Sequence, residues 1–221
     1  MNKLIYILLF FLIELNLDAQ SYIPLQDLTA FKPTKENWKI TGDLFGDNTN
    51  GGPLKTMPGQ GVLVCERIEG KSGMDYDLFT VDSHGDLDLD LDFVMAKGSN
   101  SGIYLQSRYE VQLFDSWGKS HPKYNDCGGI YERWNDAKPE GQQGYEGTAP
   151  RINVAKAPGL WQNIKISFQA PRFDASGKKI SNAKFISIIL NGVLIHENVD
   201  VSGPTRGPVM NNEVAMAPLR F

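Results

Sequence analysis

The stretch Ser101–Asp115, SGIYLQSRYEVQLFD, sets three kinds of polar group in line. If Tyr109, Val111 and Leu113 face a core, the period of two in a β-strand turns Arg108, Glu110 and Gln112 to the opposite face. A cation, a carboxylate and an amide in a row on a sheet can hold hydroxyl groups, and the carboxylate can also act as a general base or acid. Asp115 ends the same strand as a further carboxylate, and the chain beyond it carries Trp117, Tyr124, Asp126 and Tyr131, then Trp134 and Tyr145. Aromatic faces beside carboxylates suit a pyranose ring, whose C–H face stacks on an aromatic ring while its hydroxyls bind polar groups.

Other chemistries find little support. The three histidines, His84, His121 and His196, show neither HxH nor HExxH spacing, so no zinc ligand set is expected and no metal-ligating residues are assigned. There is no GxSxG elbow for a serine nucleophile and no GxGxxG between a strand and a helix, so no nucleotide cofactor is expected. Asp86, Asp88, Asp90 and Asp92 alternate with Leu87, Leu89, Leu91 and Phe93, and carboxylates spaced in this way along a strand diverge rather than converge on one calcium ion. The net charge of −4 and the lack of a basic block exclude the electrostatic footprint of a nucleic-acid binder. Cys65 and Cys127 could form one disulfide in an export compartment, but Cys65 alternates with Leu63 like a buried small hydrophobe, and the reading leans against a bond.

The elements that must position these groups are almost all strands. Period-two patterns mark Val62–Glu66, Asp86–Phe93, Gly102–Gln106, Tyr109–Phe114, Trp161–Phe168 and Ala183–Leu190, and Asn191-Gly192 is a type I′ hairpin signal returning through Val193–Glu197. No amphipathic helix is read after the first twenty residues. With turn residues between the strands, and 22 glycines and 12 prolines in the chain, the expected fold is all-β, a two-sheet antiparallel sandwich. Two long polar connections, Ser116–Gly129 and Glu132–Arg151, interrupt the strands, and long loops in a compact domain usually carry function. At the start, Lys3, the apolar run Leu4–Ile13 and a polar exit at Asp18, Ala19 and Gln20 read as a signal peptide over residues 1–19, followed by one domain over 20–221. Ten apolar residues fall short of the roughly 20 that span a bilayer, so the expected product is exported, periplasmic or extracellular in a bacterium, with no stable membrane insertion after cleavage.

Several motifs in order, GSNSGIYLQSRYEVQLFDSWGK, DCGGIYERW, YEGTAPRINVAKAPGLWQNIKISFQAPRFD and NGVLIHENV, with LTAFKPTKENWKITGDLF upstream, resemble the 3-keto-disaccharide hydrolase family. The resemblance runs from about Leu25 to the end. It implies a concanavalin-A-like jelly roll with a concave substrate face, in exported bacterial proteins acting on glycosides oxidised at carbon 3. The ketone acidifies the proton on carbon 2, and its loss lets the group on carbon 1 leave; water then adds. Family members continue past the segment matching Ala217–Phe221 into a strand with a Gly-Asp-His-Gly motif. Since this sequence ends at Phe221, the expectation is either a sandwich short of its last strand or a piece of a longer sequence.

On this reading Glu110 is the catalytic base, with Asp115 as the next candidate carboxylate. Arg108, or a divalent metal in its place, would steady the oxygen on carbon 3. Gln112, Trp117, Tyr131, Trp134 and Asn153 are the expected substrate-binding residues, while Trp161 is read as core. Two alternatives stay open: a non-catalytic carbohydrate-binding module, and a laminarinase-type glucanase. The latter places carboxylates as Glu-x-Asp-x-x-Glu, where this chain has Glu110-Val-Gln112-Leu-Phe-Asp115, with an amide in the middle. The leader gives the first prediction: protein recovered from an exporting host should begin near Gln20 by mass analysis, and an intact Met1 in a membrane pellet would overturn the assignment.

Overall fold

The computed structural model describes residues 21–33, 37–46, 52, 54–66, 68, 70 and 73–221. The segment read as a signal peptide lies outside the described residues. The strands are β1 (Trp38–Phe45), β2 (Lys55–Cys65), β3 (Phe79–His84), β4 (Leu87–Phe93), β5 (Asn100–Leu105), β6 (Tyr109–Phe114), β7 (Arg133–Trp134), β8 (Gly144–Tyr145), β9 (Gln162–Gln169), β10 (Arg172–Phe173), β11 (Lys179–Ser181), β12 (Ala183–Leu190), β13 (Val193–Val201) and β14 (Ala217–Arg220). One 3₁₀ turn, Gly73–Tyr76, is the only helical element among the described residues, and none there is long and apolar enough to cross a membrane.

Two four-stranded antiparallel sheets make the sandwich, one in the order β3-β14-β5-β6 and the other β13-β12-β9-β4. Their inner faces are built by alternation. Ile103, Leu105, Tyr109, Val111, Leu113 and Leu219 come from the first sheet and meet Ile164, Ile166, Phe168, Phe185, Ile188, Leu190 and Ile195 from the second. Leu87, Leu89 and Leu91 pack half-buried against this core, while their alternating aspartates face outward and part company: Asp86 pairs with Arg172 and Asp90 with Lys165, and Asn163 Nδ2 donates to both Asp90 and Asp92. Asn191 and Gly192 take φ of 52° and 82°, the left-handed pair a type I′ turn needs, and close the β12–β13 hairpin. Cys65 and Cys127 are free thiols; Cys127 belongs to the core, whereas Cys65 is exposed, because its strand β2 pairs only with β1 in a separate ribbon. Trp161 is also not core: it precedes β9 and is 39% exposed.

Phe168 is the centre of the aromatic packing, 1% exposed, with ring centroids 5.4 Å from both Tyr109 and Phe185. Phe168→Ala should therefore cost about 3–5 kcal/mol in urea unfolding, because the rings from two sheets cannot collapse into the space it leaves.

Candidate active site

The outer face of the β5–β6 hairpin carries the site. Gln106 and Ser107 have φ of 52° and 55°, which turns β5 directly back into β6 and fixes the register Tyr104↔Glu110 and Gly102↔Gln112. On the next strand inward, Arg220 of β14 is opposite Tyr104. Arg220, Tyr104 and Glu110 thus form one row across three strands on the face away from the core. The Arg220 guanidinium lies 3.6 Å from the centre of the Tyr104 ring, and the Tyr104 hydroxyl hydrogen-bonds to the Glu110 carboxylate. Arg220 Nη1 donates to Asp77 Oδ2 at 3.0 Å and Nη2 to the Gly207 carbonyl at 2.7 Å.

Chain from distant parts of the sequence closes over the free edge of β6. The Glu110 N–H donates to Thr205 Oγ1 at 3.0 Å, and Thr205 returns its hydroxyl and its N–H to the Arg108 carbonyl at 3.0 and 2.9 Å. The Tyr131 N–H donates to the Glu110 carbonyl at 3.0 Å, and Gly128 and Gly129 exchange bonds of 2.8 Å with Gln112. His196 on β13 donates from Nε2 to the Gly128 carbonyl at 2.9 Å, and burial pushes this histidine down to about 4. It is a neutral structural tie.

These segments enclose a cleft of about 220 Å³ lined by Asn100, Tyr104, Glu110, Gln112, Tyr131, Arg206 and Gly207. Glu110 is only 7% exposed within it. Burial pushes its carboxyl up to about 7, against the opposing effects of the Tyr104 hydrogen bond and the Arg220 charge. Asp77 adds a smaller upward push. Burial also raises Tyr104 and Tyr131, and in both the charge of Glu110 is the next contribution. Arg206 lies with its guanidinium 3.7 Å from the centre of the Trp134 ring, and no carboxylate pairs with it among the described residues. Beside it, the Tyr131 ring meets Tyr124 edge-on at 5.6 Å, and Tyr124 hydrogen-bonds to the buried Glu132.

Residues 23–219 match the 3-keto-alpha-glucoside-1,2-lyase-like domain family. The chain belongs to this family. It is the family of 3-keto-disaccharide hydrolases that the motifs resemble, and its domain is a carbohydrate-active one. Two crystal structures of candidate glycosyl hydrolases from Parabacteroides distasonis ATCC 8503 share the fold. One is 19% identical with a TM-score of 0.52, over 91% of this chain and 90% of that one. The other is 20% identical with a TM-score of 0.50, over 85% and 72%. The chain matches no curated protein.

Within this family domain, Glu110, Gln112 and Tyr131 come together in the cleft. Trp134 reaches it indirectly, as the platform under Arg206. The other expected residues lie elsewhere. Arg108 belongs to the turn and not to β6, so alternation does not hold for it; its Nη1 donates to the Gln106 carbonyl at 2.8 Å and its Nε to the Asn212 carbonyl, away from Glu110. Asp115 accepts the Gly98 N–H at 2.8 Å beyond the end of the strand. Asn153 Nδ2 ties down the Ser116 and Lys119 carbonyls at 2.7 and 3.0 Å, and Trp117 is 59% exposed on that same loop. Neither lines the cleft.

Four participants went unread in the sequence: Tyr104, Asn100, Arg206 and Arg220. Asn100 and Tyr104 alternate on the strand beside Glu110 and could have been found by pairing the two strands across the turn. Arg206 and Arg220 carry no local signal.

The buried carboxyl yields a prediction with a definite sign. Glu110 holds its proton more tightly folded than unfolded, so its contribution to stability is complete below its ordinary 4.5 and is lost as pH rises through about 7. Glu110→Gln removes that loss. Its stability relative to the unsubstituted protein should rise by on the order of 3 kcal/mol between pH 5 and pH 8. Urea unfolding at the two pH values measures the change, and a constant difference would contradict the burial of Glu110.

Proposed function

We propose that this protein cleaves the glycosidic bond of sugars oxidised at carbon 3, with Glu110 as the base that removes the proton on carbon 2. The observation that carries the reading is a single carboxylate in a monosaccharide-sized cleft, raised by burial to about 7, where a general base works best at neutral pH. Membership of the 3-keto-alpha-glucoside-1,2-lyase-like domain family supports this substrate class. The C2–H bond breaks to Glu110, its electrons pass into an enolate on the carbon 3 oxygen, and their return expels the carbon 1 substituent, which takes the proton back from Glu110 and leaves as its alcohol. Addition of water across the resulting double bond completes net hydrolysis.

Arg206 is the cation suited to the enolate oxygen, in the role first considered for Arg108. It is held flat on Trp134, is free of a carboxylate partner among the described residues and lines the same cleft as Glu110. Tyr131 supplies a phenol at the same opening. The glucanase alternative is disfavoured, because two-carboxylate hydrolysis needs a second carboxyl across the sugar, and Glu110 is the sole carboxylate among the lining residues. The leader-like residues 1–19 support action outside the cytoplasm.

On a 3-keto glycoside, Glu110→Gln should lower kcat by roughly 10² or more with substrate binding largely kept. Exchange of the carbon 2 proton with deuterium oxide should fall in parallel. In the unsubstituted enzyme kcat/KM should climb with pH through about 7, as the base ionises. Full turnover in the variant would remove Glu110 from the mechanism, and sugar binding with no cleavage by either protein would favour a binding module.

A further inference from the structure

Gly102 occupies a position where a glycine needs a reason. A glycine inside a strand weakens it, and β5 is a central strand whose two neighbours are both bonded to it. The reason is not backbone conformation, since Gly102 is not among the residues with positive φ. It is space. On the outer face of β5 the alternation reads Asn100, Gly102, Tyr104, and the side chains on either side of the glycine both line the cleft. A Cβ at residue 102 would sit 3.1 Å from both Cγ and Cδ of Glu110, and closer still to Oε1. Glu110 is therefore laid across the glycine along most of its length.

We propose that Gly102 is the positioning residue for Glu110: the missing side chain is the notch that seats the carboxyl beside Tyr104 on the floor of the cleft. The three atoms nearest to such a methyl group all belong to one flexible side chain, so alanine leaves the strand intact and moves the glutamate. The groups facing Glu110 are Tyr104 on β5, Arg220 on β14, Asp77 before β3, and Tyr131 and Arg206 from the covering loops. Lifted from the notch, the carboxyl gains solvent and loses its place beside Tyr104. Burial is the largest influence on Glu110, so regained solvent outweighs the lost hydrogen bond and the titration moves down towards the ordinary carboxyl range.

Carbon-13 NMR of protein labelled at the glutamate carboxyls, in unsubstituted protein and Gly102→Ala, tests this directly. The Glu110 midpoint should fall by about one pH unit or more in the variant. An unchanged midpoint overturns the proposal. The acid limb of kcat/KM on a 3-keto glycoside should shift with it, and kcat should fall at least tenfold with KM little changed. This kinetic arm rests on Glu110 being the base, whereas the titration does not. A moved midpoint with undiminished turnover would thus uphold the positioning role and sink the proposed chemistry. A thermal-melt cycle guards against poor folding. Gly102→Ala should lower Tm beside Glu110 but leave it unchanged or raised in a Glu110→Ala background; equal losses in both overturn the proposal.

Discussion

The row Arg220–Tyr104–Glu110 works because of how its charges are partnered. A buried carboxylate beside a buried arginine would ordinarily be held ionised by it, with its pKa lowered. Here the arginine is already engaged by Asp77 and by the Gly207 carbonyl, and it presents its flat face to the Tyr104 ring. Asp77 offsets part of the arginine's charge, and the hydrogen bond that Glu110 receives from the row comes from the Tyr104 phenol. Desolvation then dominates, and the proton becomes easy to hold and easy to give up near neutrality. The rest of the site follows from keeping that row dry.

That burial comes from the chain around the two long loops and from Thr205–Gly207, which behave less like loops than like a second layer. Gly128, Gly129 and Tyr131 bond to β6 as a partner strand would, and Thr205 does the same nearer the turn. The layer approaches closely because glycines let it. A Cβ at Gly147 would lie 2.6 Å from the Tyr124 ring, and one at Gly144 would overlap the Glu132 carboxylate. Tyr124 and Glu132 are thereby pressed together under Tyr131, and burial with that hydrogen bond pushes the Tyr124 hydroxyl up to about 12. The motifs GGIYERW and GYEGTAP are, in physical terms, close-approach surfaces that set Tyr131 over the sheet.

What could be read in advance divides along the range of the interactions. Alternation is local, so it found the core strands, the hairpin at Asn191-Gly192 and the shared face of Glu110 and Gln112. The same rule carried one residue too far placed Arg108 beside them, since nothing in Gln106-Ser107-Arg108 announces two left-handed residues. Register is not local. Tyr104 was in plain view, yet its partnership with Glu110 depends on where the turn closes, and Arg220 joins the row only because β14 inserts beside β5. Burial was the other miss. A strand face of Glu110 and Gln112 reads as solvated until the loops that cover it are placed, and in the fold both are more than nine-tenths buried.

The sheet order β3-β14-β5-β6 puts the strand latest in the sequence between two of the earlier ones. Until Ala217–Arg220 arrives, β3 and β5 face each other across a gap with two unsatisfied edges, and Phe79 and Tyr104 lack the strand that both pair with. Closure of that gap is a long-range event of high contact order, slow compared with forming the β5–β6 or β12–β13 hairpins. The species that waits for it exposes pairing-competent backbone, the kind of edge that recruits other chains. Completion of the row and closure of that gap are therefore one event: the arginine that completes the row is carried by the strand that joins β3 to β5.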